Sequence, residues 1–312
     1  MDKFAPVFVM GSFVAACSAK VARLPVAGES LLASHFVLEA GGKGFNLAAG
    51  ASRLGLAVDG LLAIGDDLFA GLAPAALERA GLRQEMLVRY PGPTGAGIGF
   101  IEAGGENCLA VYPGANARLS AADVHQAAPR LRGARLVLAQ FEIADEPIAA
   151  AFALARQTGA ATLLNPSPYR QIRPDILANT RILAVNRPEA ACLAGQYRLG
   201  PDHLQLAETL FSQGVETVIV TLGAGGAWLF QPGIAPHRQP AFKTDAVDTL
   251  GAGDAFIAAF AAGLIDGRSL AQSMRWAAAA GAAATTRPGV FDALPTRTEL
   301  QTYLGAEDET GA

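Results

Sequence analysis

Asp248-Thr249-Leu250-Gly251-Ala252-Gly253-Asp254-Ala255-Phe256 opens the longest alanine-rich run of the chain. Gly251 and Gly253 flank Ala252, and a helix is expected to start at once, over residues 253–265. Small side chains there let an anion reach backbone N–H groups, and a helix N-terminus adds partial positive charge. Asp254 falls in the first turn, beside that anion. A carboxylate so placed can take the proton from a hydroxyl that attacks phosphorus. Taken alone, Gly-x-Gly-Asp reads more simply as a helix cap with tight packing.

A second glycine-rich turn changes that balance. Gly41-Gly42-Lys43-Gly44-Phe45-Asn46-Leu47 runs into a helical pattern over residues 44–54. No Ser or Thr follows Lys43, so this is not a P-loop, and it lacks the dinucleotide fingerprint. Lys43 and Asn46 offer donors to hydroxyl or phosphate oxygens.

Around these turns, short apolar runs recur at residues 7–10, 61–64, 135–141, 161–164, 181–185, 217–222 and 227–230. The middle runs are nearly continuous in apolar residues, as strands buried on both faces are. Helical patterns lie between them, at 44–54, 70–80, 147–158 and 203–213, and two more follow at 253–265 and 270–285. This alternation predicts an α/β fold, a doubly wound, mostly parallel sheet in three layers, with ligands beyond the carboxyl ends of the strands. Residues 14–40 and 94–116 break the rhythm. The first is extended with a turn at Pro25-Val26-Ala27-Gly28; the second is a hairpin over 95–101 and 107–112, turning at Ala103-Gly104-Gly105-Glu106. The expected organisation is a large domain of residues 1–13, 41–93 and 117–312 with a small β lid of residues 14–40 and 94–116.

Composition sets bounds. The 312 residues are 51% hydrophobic and 17% charged, enough apolar content for a large core and too much for disorder. A net charge of −4 without basic runs argues against a nucleic-acid partner. Cys17, Cys108 and Cys192 are far apart and share no metal-ligand spacing with His35, His125, His203 or His237. Reduced thiols in a cytoplasmic protein are expected. Val14-Ala15-Ala16-Cys17 has the look of a lipoprotein cleavage site, but Pro6 and Gly11 interrupt the apolar stretch before it. No run reaches the ~18 apolar residues of a membrane span.

Together the two glycine turns resemble the signature regions of the ribokinase-like (PfkB-type) carbohydrate kinases. The resemblance extends from Val9-Met10-Gly11-Ser12 through Pro113-Gly114-Ala115-Asn116, Asn165-Pro166-Ser167-Pro168 and Thr221-Leu222-Gly223 to Thr286-Arg287-Pro288-Gly289. It implies ATP-dependent phosphorylation of a hydroxyl, usually a primary hydroxymethyl, on a small sugar or nucleoside. The alternative on the same fold is a catalytically silent sugar-binding or regulatory protein. By resemblance Asp254 is the base, and the N–H groups of Ala252, Gly253 and Asp254, after Gly251, form the anion hole. Gly42, Lys43, Asn46 and Glu142 match positions that touch the sugar. Thr221, Gly223 and Gly226 border the nucleotide. Asn186-Arg187-Pro188-Glu189 matches the Asn-x-x-Glu motif, with Glu189 organising Mg²⁺ through water. Asp248 with the carbonyls of Leu250, Thr285 and Gly289 corresponds to a monovalent-cation loop, with Ala293 where a hydroxyl often completes it, so K⁺ activation is left open. Family members often pair through the lid, which makes a homodimer an option.

One stretch departs from the family pattern. Members that phosphorylate ribose carry an Asn and an Asp where this chain has Val14 and Ala16. Each charge-assisted hydrogen bond to a sugar diol is worth ~1.5–3 kcal/mol. The substitution points to a substrate with a less polar face: a deoxy sugar, a nucleoside or another modified sugar.

Overall fold

Strands apolar at every position have two faces to cover, and this chain covers both. The computed structural model describes residues 5–102 and 107–310. Its strands are β1 (Val7–Ser12), β2 (Val14–Val21), β3 (His35–Gly41), β4 (Val58–Ile64), β5 (Leu87–Arg89), β6 (Gly95–Glu102), β7 (Asn107–Tyr112), β8 (Leu136–Gln140), β9 (Ala161–Asn165), β10 (Ile182–Asn186), β11 (Thr217–Thr221), β12 (Ala227–Gln231) and β13 (Ile234–Gln239). Its α-helices are α1 (Lys43–Arg53), α2 (Leu72–Arg79), α3 (Ala121–Leu131), α4 (Asp145–Thr158), α5 (Pro174–Leu177), α6 (Arg187–Gln196), α7 (His203–Ser212), α8 (Ala252–Ile265), α9 (Leu270–Thr285) and α10 (Arg297–Thr310).

Nine strands form the main sheet in the order β13-β12-β11-β10-β9-β8-β1-β4-β5. All pairs are parallel except β11 with β12 and β12 with β13. Alternate residues of each buried strand serve separate cores. Val7 and Val9 face the layer of α1, α8 and α9, while Phe8 and Met10 face that of α3 and α4. From β1 the chain builds outward to β4 and β5; from β8 it builds the other way. The switch in winding direction lies between β1 and β8, the point beyond whose strand ends sheets of this kind bind ligands.

The second sheet has the order β3-β2-β6-β7. A single residue, Phe13, separates its strand β2 from β1 of the main sheet. The turn expected at residues 103–106 lies outside the described residues.

Several elements depart from the sequence expectations. β4 begins at Val58, three residues before the apolar run, because buried Asp59 pairs with Arg130 and so is tolerated inside a strand. α3 starts with a capping box of Ser120 and Asp123 that apolar periodicity does not register. β13 lies at the sheet edge and is largely exposed, so it lacks the apolar run that marked its neighbours. A cleavage before Cys17 would remove β1 from the interior of the sheet and cut β2. Among the described residues no helix is long and apolar enough to cross a membrane.

α1 packs onto β1 at a point without room for a side chain. A Cβ on Gly44 would stand 2.3 Å from the Ser12 N and 2.5 Å from the Gly11 carbonyl carbon. Both obstacles are backbone, so neither can turn aside. We expect Gly44→Ala to lower the unfolding free energy by about 1–3 kcal/mol, read as a drop in the urea midpoint at unchanged m-value.

Candidate active site

α8 is apolar all round and buried along most of its length, with Asp254 the charged exception in its first turn. Asp254 is 5% exposed. The helix is entered through Gly251 at φ 74°, and no side chain caps it. A Cβ on Gly251 would meet Val290 Cγ1 at 2.5 Å, so both conformation and space require glycine there. A Cβ on Gly253 would meet nothing within 4 Å. The space beside Gly253 is therefore open at the positive end of the helix, although the Ala252 N–H makes a long bond to the Thr249 carbonyl at 3.4 Å.

Two side chains from α1 reach Asp254. Asn46 donates from Nδ2 to Oδ2 at 2.8 Å, and Lys43 Nζ lies 3.8 Å from Oδ1. Asn46 is 6% exposed and its Oδ1 has no partner, which leaves a buried acceptor free beside the carboxylate. Asp254 holds the Lys43 ammonium above its usual pKa; burial opposes this, and Glu142 and Glu189 add to it. Lys43 is thus charged throughout the neutral range.

Glu142 follows β8. Its Oε2 accepts from the Lys43 backbone N–H at 2.9 Å and from the Ser12 hydroxyl. Gly42, at φ 95°, makes the turn between β3 and α1. Gly42, Lys43, Asn46, Glu142 and Asp254 therefore converge at the switch point of the sheet. Sequence reasoning missed Ser12 and Gln140, whose side chains hold Glu142 from beneath; as polar residues ending apolar strands they gave a weak signal.

The remaining residues lie along the same ends of neighbouring strands. Asn186 and Glu189 form a capping box: Asn186 N–H donates to Glu189 Oε2 at 2.9 Å, and Glu189 N–H to Asn186 Oδ1 at 2.8 Å. Thr221 pairs with Asn186 in register. Gly223 and Gly226 shape the turn after β11; a Cβ on Gly226 would meet the Gln239 carbonyl oxygen at 2.2 Å. Asp248 accepts from the N–H groups of Leu250 at 2.9 Å and Gly289 at 3.1 Å, tying the entry to α8 to the loop after α9. The Thr285 carbonyl accepts the N–H groups of Val247 and Asp248. Among the described residues no group of three or more His, Cys, Asp or Glu stands ready to hold a metal. Glu189 presents a single carboxylate, a set that fits Mg²⁺ that keeps most of its waters.

Residues 5–297 match the family model described as pfkB family carbohydrate kinase. The chain is 31% identical to a deoxyribokinase of Salmonella typhi over 291 residues, 92% of this chain and 94% of that one. The ribokinase of Thermotoga maritima superposes with a TM-score of 0.88 at 28% identity, covering 97% of this chain and 100% of the other. The ribokinase of Arabidopsis thaliana, solved with ribose and ATP, gives 0.85 at 28% identity, covering 96% and 99%. The chain belongs to the pfkB family of carbohydrate kinases. It is an ATP-dependent sugar kinase with the ribokinase-like fold.

Glu39, on β3, reaches across to this region: its carboxylate lies 3.6 Å from where a Gly289 Cβ would stand. Burial raises its pKa from the ordinary 4.5, Asp292 and Asp248 raise it further, and Arg79 opposes them. A raised folded-state value means stability is complete below about pH 4.5 and is lost as pH rises through the folded pKa. Glu39→Gln removes that loss. We expect its Tm to exceed the parent's at pH 7 and to match it at pH 4; a constant difference at both would rule out titration of Glu39 as the cause.

Proposed function

We propose that Asp254 is the general base of this kinase and deprotonates a sugar hydroxyl as it attacks the γ-phosphoryl of ATP. The reading rests chiefly on the buried Asp254 carboxylate, held by Asn46 beside uncapped N–H groups of α8. In this proposal Ala252, Gly253 and Asp254 supply the N–H groups of the anion hole, which carries most of the transition-state stabilisation. Gly42, Lys43, Asn46 and Glu142 bind the sugar. Thr221, Gly223 and Gly226 border the nucleotide, and Asn186 with Glu189 holds the waters of Mg²⁺. Asp248 and nearby carbonyls correspond to the monovalent-cation loop.

The second sheet serves as the lid. Strand register puts Val14, Ala16, Glu39, Gly97, Leu109 and Val111 on one face. Glu39 on that face reaches the loop tied to α8, so the face looks toward Asp254. Ser18, Lys20 and His35 share this face farther from the junction, but near Val14 and Ala16 Glu39 is its one polar residue, which favours a deoxy sugar or a similarly less polar acceptor. The similarity to a deoxyribokinase points the same way. The opposite face exposes Phe36, Leu38, Ile98 and Tyr112. We propose that it pairs with a second copy, and Ile98→Lys should then shift the sedimentation coefficient from dimer to monomer.

ADP release with Mg-ATP, measured against pentoses, deoxy sugars, hexoses and nucleosides, tests the reading. Asp254→Asn should lose about 10²–10⁴-fold in kcat on the best acceptor; full activity in that variant would remove Asp254 from the role. Val14→Asn combined with Ala16→Asp should raise kcat/KM for D-ribose relative to 2-deoxy-D-ribose by roughly 10-fold. A preference for ribose already present in the parent would sink the deoxy reading.

A further inference from the structure

Beneath the sugar site lies a closed ring of hydrogen bonds that joins the ends of β1 and β8 and also holds the start of α1. Gln140, the last residue of β8, donates from Nε2 to Ser12 Oγ at 3.0 Å. Ser12, the last residue of β1, donates its one proton to Glu142 Oε2. Glu142 closes the ring with its own backbone N–H, which donates to Gln140 Oε1. Ser12 Oγ also accepts the Gly44 N–H at 3.3 Å, and Glu142 Oε2 also accepts the Lys43 N–H. Ser12 and Gln140 are both fully buried.

The direction of every bond in the ring is forced. The other two partners of Ser12 Oγ, Gln140 Nε2 and the Gly44 N–H, are both donors, so its proton has only Glu142 to go to. The Gln140 amide is fixed because one end must accept an N–H and the other must donate to Ser12. Oε2 of Glu142 is occupied twice, by Ser12 and by the backbone of Lys43. That leaves Oε1 as the acceptor for a ligand, in one orientation. Ser12 and the α1 backbone are held by the same bonds, so Glu142 and the α1 side chains share one reference point.

We infer that Ser12 and Gln140 are positioning residues for substrate recognition: they aim the Glu142 carboxylate and fix it relative to Lys43 and Asn46. The inference rests on the proposed role of Glu142 as a sugar ligand. Neither residue touches the sugar or the nucleotide. Their effect passes through Glu142, and they set sugar affinity rather than ATP affinity.

A double-mutant cycle tests this, with D-ribose and 2-deoxy-D-ribose as acceptors and Mg-ATP as donor. Ser12→Ala and Gln140→Met should each raise KM for the sugar about 10-fold and leave KM for ATP within about 2-fold. In a Glu142→Ala background the same two changes should add less than about 2-fold, because no carboxylate remains to be aimed. Additive effects would overturn the inference, as would equal rises in both KM values. An unchanged sugar KM in Glu142→Ala would overturn the sugar-ligand role of Glu142 together with the inference. A normal effect there and none in Ser12→Ala or Gln140→Met would overturn the inference alone. Should Ser12→Ala fail to fold, Gln140→Met decides by the same criteria.

Discussion

The approach of α1 to β1 at Gly11 and Gly44 is the constraint on which the site depends. A Cβ on Gly11 would lie 2.4 Å from the Gly44 Cα and 2.9 Å from Gln140 Nε2. With hydrogen in both places, the first turn of α1 sits directly on the end of the central strand. The Gly44 N–H then reaches Ser12 Oγ, the Lys43 N–H reaches Glu142, and Asn46 faces α8. Any larger residue would push the helix off the strand and part these groups together. Local packing, not any single polar contact, brings the functional side chains within reach.

The charge at this point is unbalanced by design of the chain. Asp254, Glu142 and Glu189 all act on the Lys43 ammonium, one cation among three carboxylates. A polyphosphate entering beside Lys43 would meet net negative charge there, while the Arg187 guanidinium stands by the turn after β11, 3.7 Å from where a Gly225 Cβ would be. The positive end of α8 offsets part of that repulsion. A divalent cation carried with the nucleotide would offset more, which is why a lone Glu189 carboxylate suits the proposed Mg²⁺ better than a full set of protein ligands would.

How much of this was legible in the sequence differs by kind of interaction. The central strands were, because their apolar runs serve two cores and leave no ambiguity of face. So was the α8 turn, whose glycines announce an exposed helix start. Ser12 and Gln140 were not, since the partners of Ser12 lie 128 and 130 residues away and no local pattern encodes such pairs. Asp59 read as a break in β4 because the Arg130 that neutralises it comes from a different element. Residues 14–40 gave extended character but not their pairing, because strand partners in the second sheet are set by register with residues 95–102, far along the chain.

The junction between the sheets limits how the second one can move. Only Phe13 separates β1 from β2. It is fully buried and packs edge-on against Phe45 at 5.7 Å. Asn116 holds both sides of its backbone: the Phe13 N–H donates to Oδ1 at 3.0 Å, and Nδ2 donates to the Phe13 carbonyl at 2.8 Å. A hinge needs backbone whose φ and ψ are free to change, and these are held by a buried amide. The inner edge of the second sheet, at Val14, is therefore fixed to the core. Burial falls away along β2 from Val14 to Lys20. Movement of this sheet toward Asp254 would have to come from bending of its outer half, which keeps Val14, Ala16 and Val111, in register with Ala16 through Gly97, at constant distance from the site while the strands toward Lys20 and Ile101 travel.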